Sequence, residues 1–190
     1  QGIGLTRDFA PEPEDSVSRP IRLPAQKVNA AWAQAPGTAA NRTDHAALSG
    51  APGLIWSVPI GAGDGRRVRI TADPVVAQGR IYTLDSGARV SAVSTSGALA
   101  WSTDLRPVTD DEEEATGGGL AHHGGTLYVS TGFGRISALD AGTGAVKWTQ
   151  RLEAVGSGTP LIHDGLVYLV AGDETGWALR ASDGTVAWTL

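Results

Sequence analysis

The chain has 190 residues, 41% of them hydrophobic, enough to bury a sizeable core as one domain or two small ones. Its formal net charge of -5 and lack of any extended Lys/Arg cluster argue against a nucleic-acid partner, whose binding depends on basic side chains releasing counterions. With no Cys it has no disulfide framework, thiolate zinc site or cysteine nucleophile, and no apolar run approaches the roughly 20 residues of a membrane-spanning helix. Starting at Gln1, without Met or a charged-then-apolar leader, the sequence reads as processed or trimmed, so any membrane anchor is expected outside it.

Residues 1–54 read as an extended N-terminal segment. Pro11, Pro13, Pro20 and Pro24 fix φ and remove backbone donors, which favours extended or irregular chain. Ile21, Leu23 and Trp32 are expected to dock this extension on the rest of the protein, since each can bury apolar area. Asn41-Arg42-Thr43 matches a glycosylation sequon but reads as an ordinary polar loop.

From residue 55 to 190 the texture becomes short β-rich runs bounded by Gly, Asp, Ser and Thr, the pattern of an all-β sandwich, barrel or propeller. Superposition chooses among them. Pro74 to Trp101, Gly119 to Trp148 and Pro160 to Trp188 align with small length differences, giving repeats at about 69–105, 114–152 and 153–190. In each, a Tyr (Tyr82, Tyr128, Tyr168) stands ten residues before an Ala (Ala92, Ala138, Ala178), and a Gly (Gly97, Gly144, Gly184) stands four before a Trp (Trp101, Trp148, Trp188). Successive Trp residues from Trp56 are 45, 47 and 40 residues apart, about the length of a four-stranded propeller blade. The expected fold is therefore a β-propeller with about three complete blades. Ile55 to Gly61, with Trp56, reads as an orphan strand of the kind that completes a last blade. Three blades fall short of the roughly four to eight that close a ring, so the chain reads as part of a larger propeller.

The central copy, ALDAGTGAVKW from Ala138 to Trp148, carries the clearest physical logic. Ala138 leaves room on one strand and Trp148 supplies a broad surface on the next; Asp140 can accept hydrogen bonds from the turn, where Gly144 permits positive φ. The first copy is one residue short with Ser94 at the Asp position, and the third has Arg180 there, so both turns are expected to be locked less firmly.

Other candidates read as structural. His122-His123 is expected to be a turn pair and no metal site, since neighbouring residues on a strand point to opposite faces. His163-Asp164 occupies the matching place in the next repeat. The run Asp110, Asp111, Glu112, Glu113, Glu114 reads as a solvated loop able to meet a partner, without the ligand spacing of a calcium loop. The glycine clusters Gly61 to Gly65 and Gly132 to Gly134 precede no helix and read as β-turns. No nucleophile with an orienting base is apparent.

The set Ala138, Asp140, Gly144 and Trp148 resembles the tryptophan-docking motif of the PQQ-type β-propeller superfamily, a likeness covering about three quarters of the chain. Within that superfamily the Pro-rich lead-in, the stretch Arg69 to Asp85 and the plain repeats resemble BamB-like proteins. That resemblance implies a cofactor-free, non-catalytic periplasmic lipoprotein acting as a scaffold with the outer-membrane β-barrel assembly machinery. It also implies an N-terminal lipidated Cys, which this chain lacks. PQQ-dependent dehydrogenases, whose pattern includes adjacent cysteines, resemble it less, and a propeller adaptor for another partner stays open.

Overall fold

The computed structural model describes residues 20–38, 40, 42–66, 69–108, 117–152, 154, 155 and 157–190. Among these the chain is all-β, with three four-stranded antiparallel sheets in sequence order. The first holds β1 (Val75–Ala77), β2 (Arg80–Leu84), β3 (Arg89–Ser94) and β4 (Leu99–Asp104); the second holds β5 (Gly118–His123), β6 (Thr126–Thr131), β7 (Arg135–Asp140) and β8 (Val146–Arg151). The third holds β9 (Leu161–His163), β10 (Leu166–Val170), β11 (Gly176–Arg180) and β12 (Val186–Thr189). Each sheet is a simple up-and-down meander, as short connections between antiparallel strands dictate. These are the blades of a β-propeller.

The register explains the repeat. Tyr82 lies directly opposite Ala92, and Ala92 opposite Trp101. The same row recurs as Tyr128, Ala138, Trp148 and as Tyr168, Ala178, Trp188. With strands about 4.8 Å apart, a small central residue lets the two flanking rings lean together over it. In all three blades the Tyr and Trp centroids are about 6 Å apart and the rings are tilted. The Ala is completely buried each time. Immediately after it the register slips, between Ala92 and Val93, Ala138 and Leu139, and Ala178 and Leu179. This bulge kinks the outermost pair of strands where the Trp emerges.

Alternation assigns the blade faces. In the central blade Leu120, Leu127, Val129 and Leu139 pack with Val75, Tyr82, Leu84, Val90 and Ala92 of the first blade. Its other face offers Ala121, Tyr128, Ile136 and Ala138 to Ile162, Val167, Leu169 and Leu179 of the third. A sheet covered on both sides has no solvent face, which is why β6 and β7 are buried almost end to end. The first strands also meet: β1 touches β5, and β5 touches β9, along the inner side shared by the three blades.

Several expectations need correction. Ile21 and Leu23 do not dock: they are 86% and 68% exposed. The part of the extension that reaches the blades lies between Pro24 and Pro36, where consecutive backbone donors are available, and of the three candidates only Trp32 makes that contact. His122 and His123 form no turn; they are the last two residues of β5. Residues 61–65 carry no turn and form an open stretch, whereas Gly132 to Gly134 do lie in the β6–β7 turn. Residues 55–61, expected as an orphan strand, enter no sheet, since the described chain gives them no strand to pair with. Asn41 of the sequon lies outside the described residues.

Leu139 is fully buried between the first two blades. Leu139→Ala should therefore lower unfolding free energy by about 2–5 kcal/mol, measured by urea denaturation followed through Trp fluorescence.

Candidate functional site

The polar and aromatic groups singled out by the repeat assemble into a joint between successive blades. The Trp101 indole lies on the β7–β8 turn of the next blade, where a Cβ at Gly144 would come within 2.5 Å of the ring. Its Nε1–H donates to the carbonyl of Ala141 at 3.1 Å. The Tyr82 hydroxyl donates to that same carbonyl at 3.1 Å, and Arg80 Nη1 donates to it at 2.9 Å and to Gly142 O at 2.8 Å. Thr103 Oγ1 adds a bond to Gly144 O at 2.8 Å. One turn carbonyl thus gathers three donors from the neighbouring blade.

The next joint repeats this with different surroundings. Trp148 lies on Gly184, whose added Cβ would meet the ring at 2.5 Å, and its Nε1–H donates to Ala181 O at 3.1 Å. The Tyr128 hydroxyl donates to Ala181 O at 3.2 Å. Burial pushes the Tyr82 and Tyr128 phenols up from their ordinary value, so both remain protonated donors at neutral pH. Ala141 and Ala181 occupy the same place, three residues after the row Ala.

Trp56 reproduces the arrangement on the other side of the first blade. Its ring covers Gly97, and its Nε1–H donates to the carbonyl of Thr95, the residue matching Ala141 and Ala181, at 3.0 Å. The chain following it is pinned to the same blade: Ser91 Oγ donates to Ile60 O, Ala62 N–H to Asp85 Oδ2, and Ser86 Oγ to Gly63 O. Asp85 is buried, and its other oxygen accepts from the amides of Gly87 and Arg89. Trp188 carries the matching ring on the third blade, where it pairs with Tyr168 but is 47% exposed.

Each turn is fastened differently. In the central blade Asp140 Oδ1 accepts from the amides of Gly142 and Thr143 and from the Thr143 hydroxyl, and Gly144 has φ +77°. In the first, Ser94 Oγ accepts from Ala98 N–H. In the third, Arg180 makes no such bond, and Asp183 takes over by accepting from the amide and hydroxyl of Thr185. The third turn therefore has a carboxylate lock from a shifted position.

Sequence reading placed Ala92, Gly97, Trp101, Ala138, Gly144, Trp148, Ala178, Gly184, Trp188, Trp56 and Asp140 in one motif. The structure spreads each set over two blades: the Ala and Trp of one face the Gly of the next. The sequence marks Tyr82 and Tyr128 as repeat positions without a role in the joint, and it gives no sign of Arg80 or of the carbonyls of Ala141 and Ala181. The constant ten-residue step from Tyr to Ala was the signal for the tyrosines; the carbonyls leave none. The acidic run Asp110 to Glu114 lies outside the described residues.

The histidines gather elsewhere. His122, His123 and His163, with Asp164, Ala33 and Gln34, line a cleft of about 480 Å³. His122 stacks on Tyr82 with centroids 6.0 Å apart. Burial, and secondarily His123, push its imidazole below the ordinary value, favouring the neutral ring. Among the described residues no group of three or more His, Asp or Glu could hold a metal ion.

Two outcomes follow from the joints. Trp148→Ala should destabilise by about 3 kcal/mol, the lower part of the range for a buried Trp, and Trp188→Ala by about 1 kcal/mol, since its ring is half exposed and seats on no following turn among the described residues; chemical denaturation of both variants checks the contrast. The Asp140 carboxyl is held below its ordinary 3.8 first by the Thr143 hydroxyl and then by the Thr143 amide. A lowered folded value stabilises above the unfolded value and is lost as pH falls through the folded one, so this contribution starts to fade below about pH 4 and is gone once the folded value is passed. In Thr143→Ala, a carboxyl-carbon NMR titration should place Asp140 closer to 3.8 than in the parent protein.

A profile of the family described as outer membrane protein assembly factor BamB matches residues 86–190, more than half of the chain. The outer membrane protein assembly factor BamB of Yersinia pestis is 27% identical over 144 residues, covering 73% of this chain and 36% of the relative. Among solved structures, BamB from Moraxella catarrhalis superposes with a TM-score of 0.53 at 24% identity, over 65% of this chain and 36% of that one. Quinohemoprotein alcohol dehydrogenase from Comamonas testosteroni superposes with a TM-score of 0.66 at 24% identity, over 85% of this chain and 27% of that one. Such structural likeness at low identity speaks for fold alone. The chain spans a little over one third of the length of its BamB relatives. It belongs to the family of outer membrane protein assembly factor BamB.

Proposed function

We propose that the protein of which this chain forms part is a non-catalytic periplasmic scaffold of outer-membrane β-barrel assembly, associated with the outer membrane and acting through protein contacts made by its loops and blade edges. The observation that carries this reading is the family match over residues 86–190, joined by the Yersinia pestis relative. The use of the repeated groups is in keeping with it: Tyr82, Trp101, Tyr128, Trp148 and Asp140 each serve a turn or a blade joint. The acidic run Asp110 to Glu114 is the proposed partner loop, a patch suited to a basic surface. A lipid anchor would lie outside this chain.

A second reading, part of a PQQ-dependent dehydrogenase, draws on the likeness to the Comamonas testosteroni enzyme. The chain spans 27% of that enzyme's length and holds no adjacent cysteines, and one outward amide on the first strand of each blade is taken up by residues 32–34.

The test is affinity capture of the full-length protein with purified components of the barrel-assembly machinery. Retention of a component, weakened when Asp110 to Glu114 are replaced by Ser, is the expected result. Failure to retain any component would overturn the scaffold reading, and stoichiometric PQQ uptake with calcium-dependent dye reduction would establish the second.

A further inference from the structure

The first strand of each blade carries, at one equivalent position, a residue whose amide faces away from the second strand. Those residues are Val76, His122 and Ile162, each standing six positions before its blade's Tyr. Equivalent positions in three blades thus present three equivalent backbone donors along the common inner side. An unpaired donor is costly when buried and is a pairing hazard when exposed, so such edges need a cover.

Three consecutive residues supply it. Val76 N–H donates to Trp32 O at 2.8 Å, and Trp32 N–H returns a bond to Val76 O at 2.7 Å. His122 N–H donates to Ala33 O at 2.6 Å. Ile162 N–H donates to the Gln34 side-chain Oε1 at 3.2 Å, in a buried setting where Gln34 is only 6% exposed. Backbone, backbone and carboxamide each meet one blade, in order. The segment is held in shape from both sides. The Gln34 carbonyl accepts from Gly37 N–H, and the Trp32 ring lies close over Gly37. Farther out, Lys27 and residues 45–47 are joined by two backbone bonds and by the Lys27–Asp44 ion pair at 2.7 Å.

We propose that the three inner-edge amides form a binding site for an extended strand bearing a carboxamide, and that the chain's own Trp32-Ala33-Gln34 is its occupant. It acts as a clasp that fixes the inner strands of three blades to one another and keeps other chains off their edges. A site built from the same repeat position in three blades is read as a unit, and one occupant releases all of it.

Amide hydrogen exchange on the intact chain, resolved by NMR, tests this. In the parent protein Val76, His122 and Ile162 should exchange with closely similar protection, because one opening exposes them all. Gln34→Leu keeps the side-chain size and removes one hydrogen bond, so it should speed exchange at all three amides together, by about tenfold. The Val129 amide in the centre of the fold should keep its protection, showing that the blades remain folded. Acceleration at Ile162 alone, or at none of the three, would overturn the proposal. Gln34→Glu retains an acceptor and should leave the three amides within about threefold of one another; divergent protection factors in this variant would count equally against a single clasp.

Discussion

The structure depends on one hydrogen-bond acceptor per joint, a turn carbonyl that faces the previous blade. At Ala141 it takes the indole of Trp101, the phenol of Tyr82 and the guanidinium of Arg80. At Ala181 it takes Trp148 and Tyr128. The indole needs a flat place to lie, and the Gly at each turn provides it, since any Cβ there would stand within the ring's own thickness. The bulge after the row Ala brings the Trp-bearing strand outward to reach that turn. Ala, Gly, bulge and carbonyl are therefore parts of one contact, distributed over two blades.

Because the contact is directional, the stack of blades has two unlike ends. Each blade offers an aromatic row on one face and a receiving turn on the other. At the first blade the receiving turn is already filled by Trp56, which donates to Thr95 O over Gly97. At the third blade the row Tyr168, Ala178 and Trp188 is built to the same geometry, with its rings 6.0 Å apart, and Trp188 stands half exposed. A segment with no strand of its own thus fills the receiving turn at one end with a single side chain, while Ser91, Asp85 and Ser86 hold the backbone of Ile60, Ala62 and Gly63 behind it.

How much of this was legible in the sequence follows from what each interaction requires of a side chain. The Trp, Ala and Gly positions were readable because packing an indole against a bare turn tolerates few alternatives, and the three copies repeat them at fixed offsets. The blade as a four-stranded meander was readable from the same spacing. The Asp140 turn lock was readable only in the central copy, because a turn can be tied by several oxygens; Ser94 and Asp183 do so from other positions. His122 and His123 misled because a Gly-rich neighbourhood resembles a turn, whereas the turn begins only at Gly124. Ile21 and Leu23 misled because apolar character shows that burial would be favourable, and says nothing about whether a partner surface is within reach.

The inner edge was the least legible part, and the reason is physical. Trp32 and Ala33 meet the blades through backbone atoms, which every residue possesses, and the amides they cover belong to Val76 and His122, an aliphatic and an imidazole side chain with nothing in common. A backbone contact imposes no residue type on either partner, so equivalent positions are free to diverge. The outer joint is made by side chains and writes itself into the sequence at every repeat. The inner clasp is made mostly by main chain, with Gln34 contributing its one side-chain bond, and only coordinates reveal it. A blade is thus fixed at two places by two kinds of chemistry: an indole on a glycine turn outside, and a shared three-residue strand inside.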